Sequence, residues 1–222
     1  MNPQELRDQL LTAMINADRS AAAALVDQVL ASGCEPRLVI ADILDPAIVR
    51  LGQLWEAETM SLAQNFVASK IAEDTLLRCI PDKADHSHSK GAVVIGNIED
   101  DFHSLGRKTV GLFLAAAGWE VHDLGNDVPA EELLAKALEV NACVIGASAM
   151  MQTTALNIRK LRQLIDEGAL AGRIKLAVGG AVFNWRPELV AEVGGDGTAH
   201  NAIGADELFM RLQAETRREG TP

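Results

Sequence analysis

From Ala92 onward short apolar runs alternate with segments of helical periodicity, and this alternation constrains the fold more than any other feature of the chain. Residues 92–98, 119–124, 142–148, 174–178 and about 195–199 read as strands. Helical patterns separate them: one through Leu105, Val110, Leu112, Phe113 and Leu114 to Ala117, then 130–140, about 154–167, near 187–193, and a terminal helix from Ala205. Continuous apolar runs suit strands buried on both faces, and parallel strands need crossover helices between them. Five strands separated by helices predict an α/β fold: a flavodoxin-like (Rossmann-like), doubly wound five-stranded parallel sheet with its ligand edge at the carboxyl ends of the strands.

Residues 3–80 show no such alternation; apolar residues recur at helical spacing in four blocks, 3–16, 20–31, 36–56 and 61–80. Asp18 or Arg19-Ser20 can start the second helix, Gly33 can end it, and Pro36 suits a first turn. Pro46 inside the third block predicts a kink or break. The organisation expected is a four-helix bundle over 1–80, a linker over 81–91 and a sheet domain over 92–222. The linker is polar and carries His86 and His88, which read as a solvated connection rather than a metal site because no carboxylate or thiolate stands at useful spacing.

Composition narrows the partners. A formal net charge of -11 excludes a phosphate backbone as a natural ligand, since nucleic-acid affinity depends on Lys and Arg displacing counterions. Residues 1–11 are polar rather than a signal core and no apolar run approaches a membrane span, so the expectation is a cytoplasmic chain with no membrane partner. Cys34, Cys79 and Cys143 are unclustered and read as reduced thiols.

Chemistry-bearing and small residues collect where strands end. After the first strand comes Asp101-Phe102-His103-Ser104-Leu105-Gly106; after the third, Gly146-Ala147-Ser148-Ala149-Met150-Met151-Gln152-Thr153-Thr154; after the fourth, Gly179-Gly180-Ala181; and at the fifth, Gly197-Thr198-Ala199. Glycines let a bulky group approach the backbone, and Ser and Thr hydroxyls offer hydrogen bonds to a buried polar atom. An imidazole with a carboxylate two residues before it has the makings of a metal ligand and its orienter; alone, it would read as a helix-capping or solvent-exposed histidine. His122 and His200 have no comparable neighbours and read as packing or surface residues, and Glu99 and Asp100 as a solvated loop. Common tenants of this fold are excluded in turn. A phospho-acceptor receiver lacks its Asp at the end of the third strand, a flavodoxin lacks its hydroxyl-rich loop and aromatics, and the dinucleotide fingerprint is absent.

These residues resemble the cobalamin-binding domains of methionine synthase and of the corrinoid proteins that serve methyltransferases. The Asp-x-His-x-x-Gly signature is present as Asp101 to Gly106, the Ser-x-Leu segment as Ser148-Ala149-Met150 followed by Thr153-Thr154, and the Gly-Gly as Gly179-Gly180. Asp123-Leu124-Gly125-Asn126-Asp127-Val128-Pro129 and Gly195-Asp196-Gly197-Thr198-Ala199 extend the likeness, and Leu51-Gly52-Gln53-Leu54-Trp55 with Met60-Ser61-Leu62 is similar to the helical cap of that family. The resemblance implies cobalamin as cofactor, with methyl, water or nothing as upper ligand, and His103 as lower axial ligand to cobalt in place of the cofactor's own base. It implies that Asp101 orients His103 and that Ser148 extends the relay. Ser104, Leu105, Met150 and Thr198 belong to the same cofactor segments. Gly106, Gly146, Gly179, Gly180 and Gly197 would make room for the displaced nucleotide tail, Ser148 or Thr153 and Thr154 would bond its tip, and Trp55, Met60, Leu62 and Phe66 would cover the upper face.

The function implied is a non-catalytic methyl carrier working with separate methyltransferase subunits; the resemblance leaves the oligomeric state open, a homodimer included. Alternatives are a cobalamin-dependent regulator or light sensor acting through a protein partner, and a small subunit of an isomerase. Light-sensing relatives carry Trp-x9-Glu-His; here Trp55 is followed at those positions by Asn65 and Phe66. The methyl carriers usually have Gly where this chain has Asp100, Asp where it has Ser104, and Lys-Asn where it has Arg107-Lys108.

Overall fold

The computed structural model describes residues 2–79 and 89–219, in two compact units, Met1–Lys83 and Ala84–Pro222. In the first, α1 (Pro3–Ile15) starts where the Asn2 side chain accepts from Gln4 N at 3.1 Å. Asp18 caps α2 (Arg19–Ala31) through Ala21 N at 2.9 Å. Ser61 and Gln64 form a reciprocal capping box at the head of α5 (Leu62–Arg78). Leu6, Leu10, Ala13 and Met14 recur at the spacing of one helix face and pack with Val26, Val29, Ile71 and Leu76 into the core of this unit.

The third block runs from α3 (Pro36–Leu38) through a π-helical turn, Val39–Leu44, into α4 (Asp45–Glu56). The expected disturbance at Pro46 takes the form of this π turn on its N-terminal side, with Asp45 N bonding Ile40 O. A proline nitrogen cannot donate to the carbonyl four residues back, that of Asp42, and Arg7 Nη2 donates to it instead at 3.2 Å. Pro46 therefore stays inside a helical path.

The second unit is a five-stranded, wholly parallel sheet in the order β2-β1-β3-β4-β5, with β1 Ala92–Asn97, β2 Glu120–Asp123, β3 Val144–Ser148, β4 Lys175–Gly179 and β5 Gly197–Thr198. Its helices are α6 (Ser104–Ala116), α7 (Ala130–Glu139), α8 (Gln152–Ala155), α9 (Ile158–Glu167), α10 (Ala181–Trp185), α11 (Leu189–Glu192) and α12 (Ala205–Glu219). Alternate residues of the central strands feed two cores. Val94, Ile145, Leu176 and Val178 pack with Leu133, Leu161, Ile165 and Phe183 on one face. Val93, Ile95, Val144 and Ala177 pack with Leu114, Trp119, Phe209 and Leu212 on the other.

Three expectations change in detail. The helix expected over 154–167 is two pieces, α8 and α9, because Asn157 at the junction donates to Glu99 O (3.0 Å) and Asp100 Oδ2 (3.3 Å). The segment after β4 starts a helix at once, α10, which the periodicity did not show. His122, read as lacking a partner, pairs through Nε2 with Glu120 Oε1 at 3.0 Å, since residues two apart on a strand share a face.

The three cysteines are free thiols, and burial, with Cys34 adding to it, pushes Cys79 up to about 11. Most of the expected linker over 81–91, His86 and His88 included, lies outside the described residues. Among the described residues no helix is long and apolar enough to cross a membrane.

Candidate functional site

The site grows from the last residue of β1. Asn97 ends an otherwise apolar strand, is wholly buried, and lies in register with Ser148 of β3, itself in register with Gly179 of β4. In this strand order β1 and β3 are neighbours whose connections leave in opposite senses, which opens a crevice above their carboxyl ends. The turn after β1 is tight: Asp101 N bonds Ile98 O at 3.0 Å, and Asp100 takes a φ of 69°. That left-handed conformation favours glycine; here Asp127 Oδ1 accepts from Asp100 N at 2.8 Å and braces it.

Asp101 is 0% exposed, yet every side of its carboxylate is answered. Oδ1 accepts from Asn97 Nδ2 (2.8 Å) and His103 N (3.0 Å), and Oδ2 from Met150 N (2.7 Å) and Thr154 Oγ1 (2.9 Å). Burial pushes the carboxyl up, but the Met150 and His103 backbone N–H groups, Asn97 and Thr154 together outweigh it and hold Asp101 below the usual carboxylate range. It is thus a buried anion that ties the β1 turn to the β3 turn.

His103 stands at the N-cap of α6, but its ring does not cap the helix. The side chain is 52% exposed, with Nδ1 3.3 Å from Asp101 Oδ1. A carboxylate can only accept, so this contact favours the tautomer with the proton on Nδ1 and a lone pair on Nε2. The hydroxyl that reaches Asp101 is Thr154's; Thr154 is buried and so engaged, whereas Thr153 is exposed and Ser148 half-buried.

The five glycines divide. A Cβ at Gly106 or Gly179 would meet nothing within 4 Å. At Gly146 it would press on Phe209 and Ile95, at Gly197 on Arg211 and Leu208, and at Gly180 on the Ala149 carbonyl, with φ at 114°. The protein's own packing accounts for these last three. Ser104 and Leu105 open α6 half-buried, and Thr198 is exposed at the end of β5. Met150 and Met151 are exposed in the turn after β3, and Phe102 is exposed in the turn after β1. In the helical unit Trp55, Leu62 and Phe66 are exposed large apolar residues, while Met60 is buried in that unit's core.

Asn97 and Arg107 escaped the sequence reading. The signals were there: a polar amide closing an apolar strand, and an arginine four residues after His103. Arg107 is buried, and its Nε donates to Asn97 Oδ1 at 2.7 Å.

Among the described residues no three His, Cys, Asp or Glu side chains cluster as a metal cage. A lone imidazole cannot hold a bare ion, but it suffices as a single ligand for a metal already held by a macrocycle. The donor set and the open space at Gly106 and Gly179 fit a corrin-held cobalt ion.

Residues 91–208 match the family model described as a B12 binding domain, and residues 6–79 match a second model of the same description. The chain is 31% identical over 213 residues to dimethylamine corrinoid protein 1 of Methanosarcina acetivorans, covering 94% of this chain and 100% of that one. The solved monomethylamine corrinoid protein of Methanosarcina barkeri superposes with a TM-score of 0.83 at 26% identity, over 95% of this chain and 100% of its own. A chain of the methanol:cobalamin methyltransferase complex of the same organism shares the fold, with a TM-score of 0.53 at 23% identity, over 98% of this chain and 85% of that one.

Proposed function

The chain belongs to the B12-binding family, with a cobalamin as cofactor, and from that premise we propose that it carries a methyl group on cobalt between partner methyltransferases, with His103 as the lower axial ligand. When bound, the corrinoid supplies a cobalt centre that in its reduced form takes up a methyl group and later yields it. The observation that carries the reading is the Asp101–His103 couple: a buried, four-fold hydrogen-bonded carboxylate beside the Nδ1 of a half-exposed imidazole.

Each residue has a part. Asp101 keeps the Nδ1 proton in place, so Nε2 is the nitrogen offered to the metal. Gly106 and Gly179 leave room for the cofactor's nucleotide tail, and the exposed Thr153 hydroxyl and half-buried Ser148 are the free donors for its tip, Thr154 being committed to Asp101. Ser104, Leu105, Met150 and Thr198 border the same edge. The relatives include dimethylamine and monomethylamine corrinoid proteins, so the regulator or light-sensor alternative is not favoured.

The test uses the full chain labelled with 15N-histidine and loaded with cob(II)alamin. Electron paramagnetic resonance is expected to show cobalt coupled to a single 15N nucleus, and His103→Ala to abolish that coupling; a coupling that survives the substitution removes His103 as ligand. Methylcobalamin-loaded protein is expected to release its methyl group to an added amine acceptor, which loses a proton while the Co–C bond pair stays on cobalt as Co(I), only when a methylamine-class methyltransferase is added. Equal release without one defeats the carrier reading.

A further inference from the structure

One guanidinium organises the turn that carries His103. Arg107 sits on α6, one helical turn past His103, with its side chain 4% exposed. Its Nε donates to Asn97 Oδ1 at 2.7 Å, its Nη2 to Asn126 Oδ1 at 3.1 Å, and its Nη1 to the Asp123 carboxylate. Arginine has donors and no acceptor, so only the oxygen end of an amide can face it. Both asparagines must therefore turn their NH2 groups the other way, and there they meet the turn. Asn97 Nδ2 donates to the main-chain oxygen of His103 (3.1 Å) as well as to Asp101, and Asn126 Nδ2 donates to the main-chain oxygen of Phe102 (3.4 Å).

We propose that Arg107 is a positioning residue for His103: by fixing the orientation of the Asn97 and Asn126 amides it holds the carbonyls of Phe102 and His103 and so aims the imidazole. The inference rests on the reading of His103 as a cobalt ligand. Asp123, at the end of β2, balances the buried cation, which would otherwise be costly to keep out of water. Serving these three oxygens at once requires a fork. Lysine concentrates its donors on one nitrogen and cannot serve oxygens presented by β1, the end of β2 and the turn after it together.

The experiment compares wild type, Arg107→Lys, Arg107→Met and His103→Ala, each 15N-histidine labelled, loaded with cob(II)alamin and checked for native folding by circular dichroism. The reading is the ratio of histidine-coordinated to histidine-free cobalt in the paramagnetic resonance spectrum. Arg107→Met is expected to lower that ratio by roughly tenfold, the size of effect found for groups that orient a metal ligand, and Arg107→Lys to lower it less. If Arg107→Met fails to fold, Arg107→Met/Asp123→Asn removes both charges together, and the same loss is expected there. A folded methionine variant with the wild-type ratio overturns the inference while leaving the His103 reading intact. Persistence of the 15N coupling in His103→Ala overturns both.

Discussion

Two carboxylates, one in each unit, show what burial alone does and what hydrogen bonding adds to it. Asp45 opens α4 in the helical unit, and burial pushes it up to about 6 from 3.8. Asp101 in the sheet unit is buried still more completely, yet lies below its ordinary value because four donors converge on it. Removing a carboxylate from water disfavours the anion; only a full set of donors reverses the sign. The helical unit tolerates a mildly strained acid, whereas the sheet unit is built around a satisfied one. That contrast marks the second site as organised for a charge.

The largest break in the comparison comes from Asp101→Ala, which leaves the Met150 and His103 N–H groups without their acceptor and takes one of two acceptors from the Asn97 amide. The sheet unit is expected to lose about 3 kcal/mol, by the cost of burying unsatisfied donors, read from hydrogen exchange of the β1 and β3 amides. A loss confined to the helical unit's amides would show that Asp101 is not the tie between the two turns. The two acids also respond to pH in opposite ways. Because the folded pKa of Asp101 is depressed, its contribution is present above about pH 4 and disappears as pH falls below that, through the folded value. Asp101→Asn should remove that acid-labile component.

For Asp45 the folded pKa is raised, so the fold prefers the neutral acid and stability falls as pH rises from 3.8 to about 6. Asp45→Asn is expected to stabilise the helical unit by about 1 kcal/mol at pH 7.5, discounted for partial solvent screening, and to change nothing at pH 3.5. An equal gain at both values would rule out ionisation as the cause. The smallest effect belongs to Asp100, the neighbouring carboxylate, whose left-handed backbone is braced by Asp127. Asp100→Gly should gain roughly 0.5 kcal/mol by relieving the backbone, partly offset by the lost Asn157 contact, with thermal melting as the measure.

The parallel sheet was readable because a strand buried on both faces leaves an unbroken apolar run, and 144–147 and 176–179 are such runs. The π turn was not. Its cause is joint: Pro46 withholds a donor from the Asp42 carbonyl, and an arginine 35 residues before Asp42 supplies one. The break between α8 and α9 likewise depends on Asn157 reaching back to the turn after β1. Glycines were the least readable of all. Gly106 and Gly179 face open space while Gly146 and Gly197 are filled by Phe209 and Arg211, and no local pattern distinguishes the two kinds.

What the chain's order of residues determined by itself was the α/β class, the carboxyl edge and the Asp101–His103 pairing, because strand periodicity and a spacing of two residues are local properties. Tertiary structure alone decided that Asp101 is a satisfied anion, since Met150 and Thr154 reach it from 49 and 53 residues away. It decided too that Arg107 faces two amides and a carboxylate on separate segments. Hydrogen bonds between distant turns exist only once the sheet has set their register, and that register is a property of the packed chain.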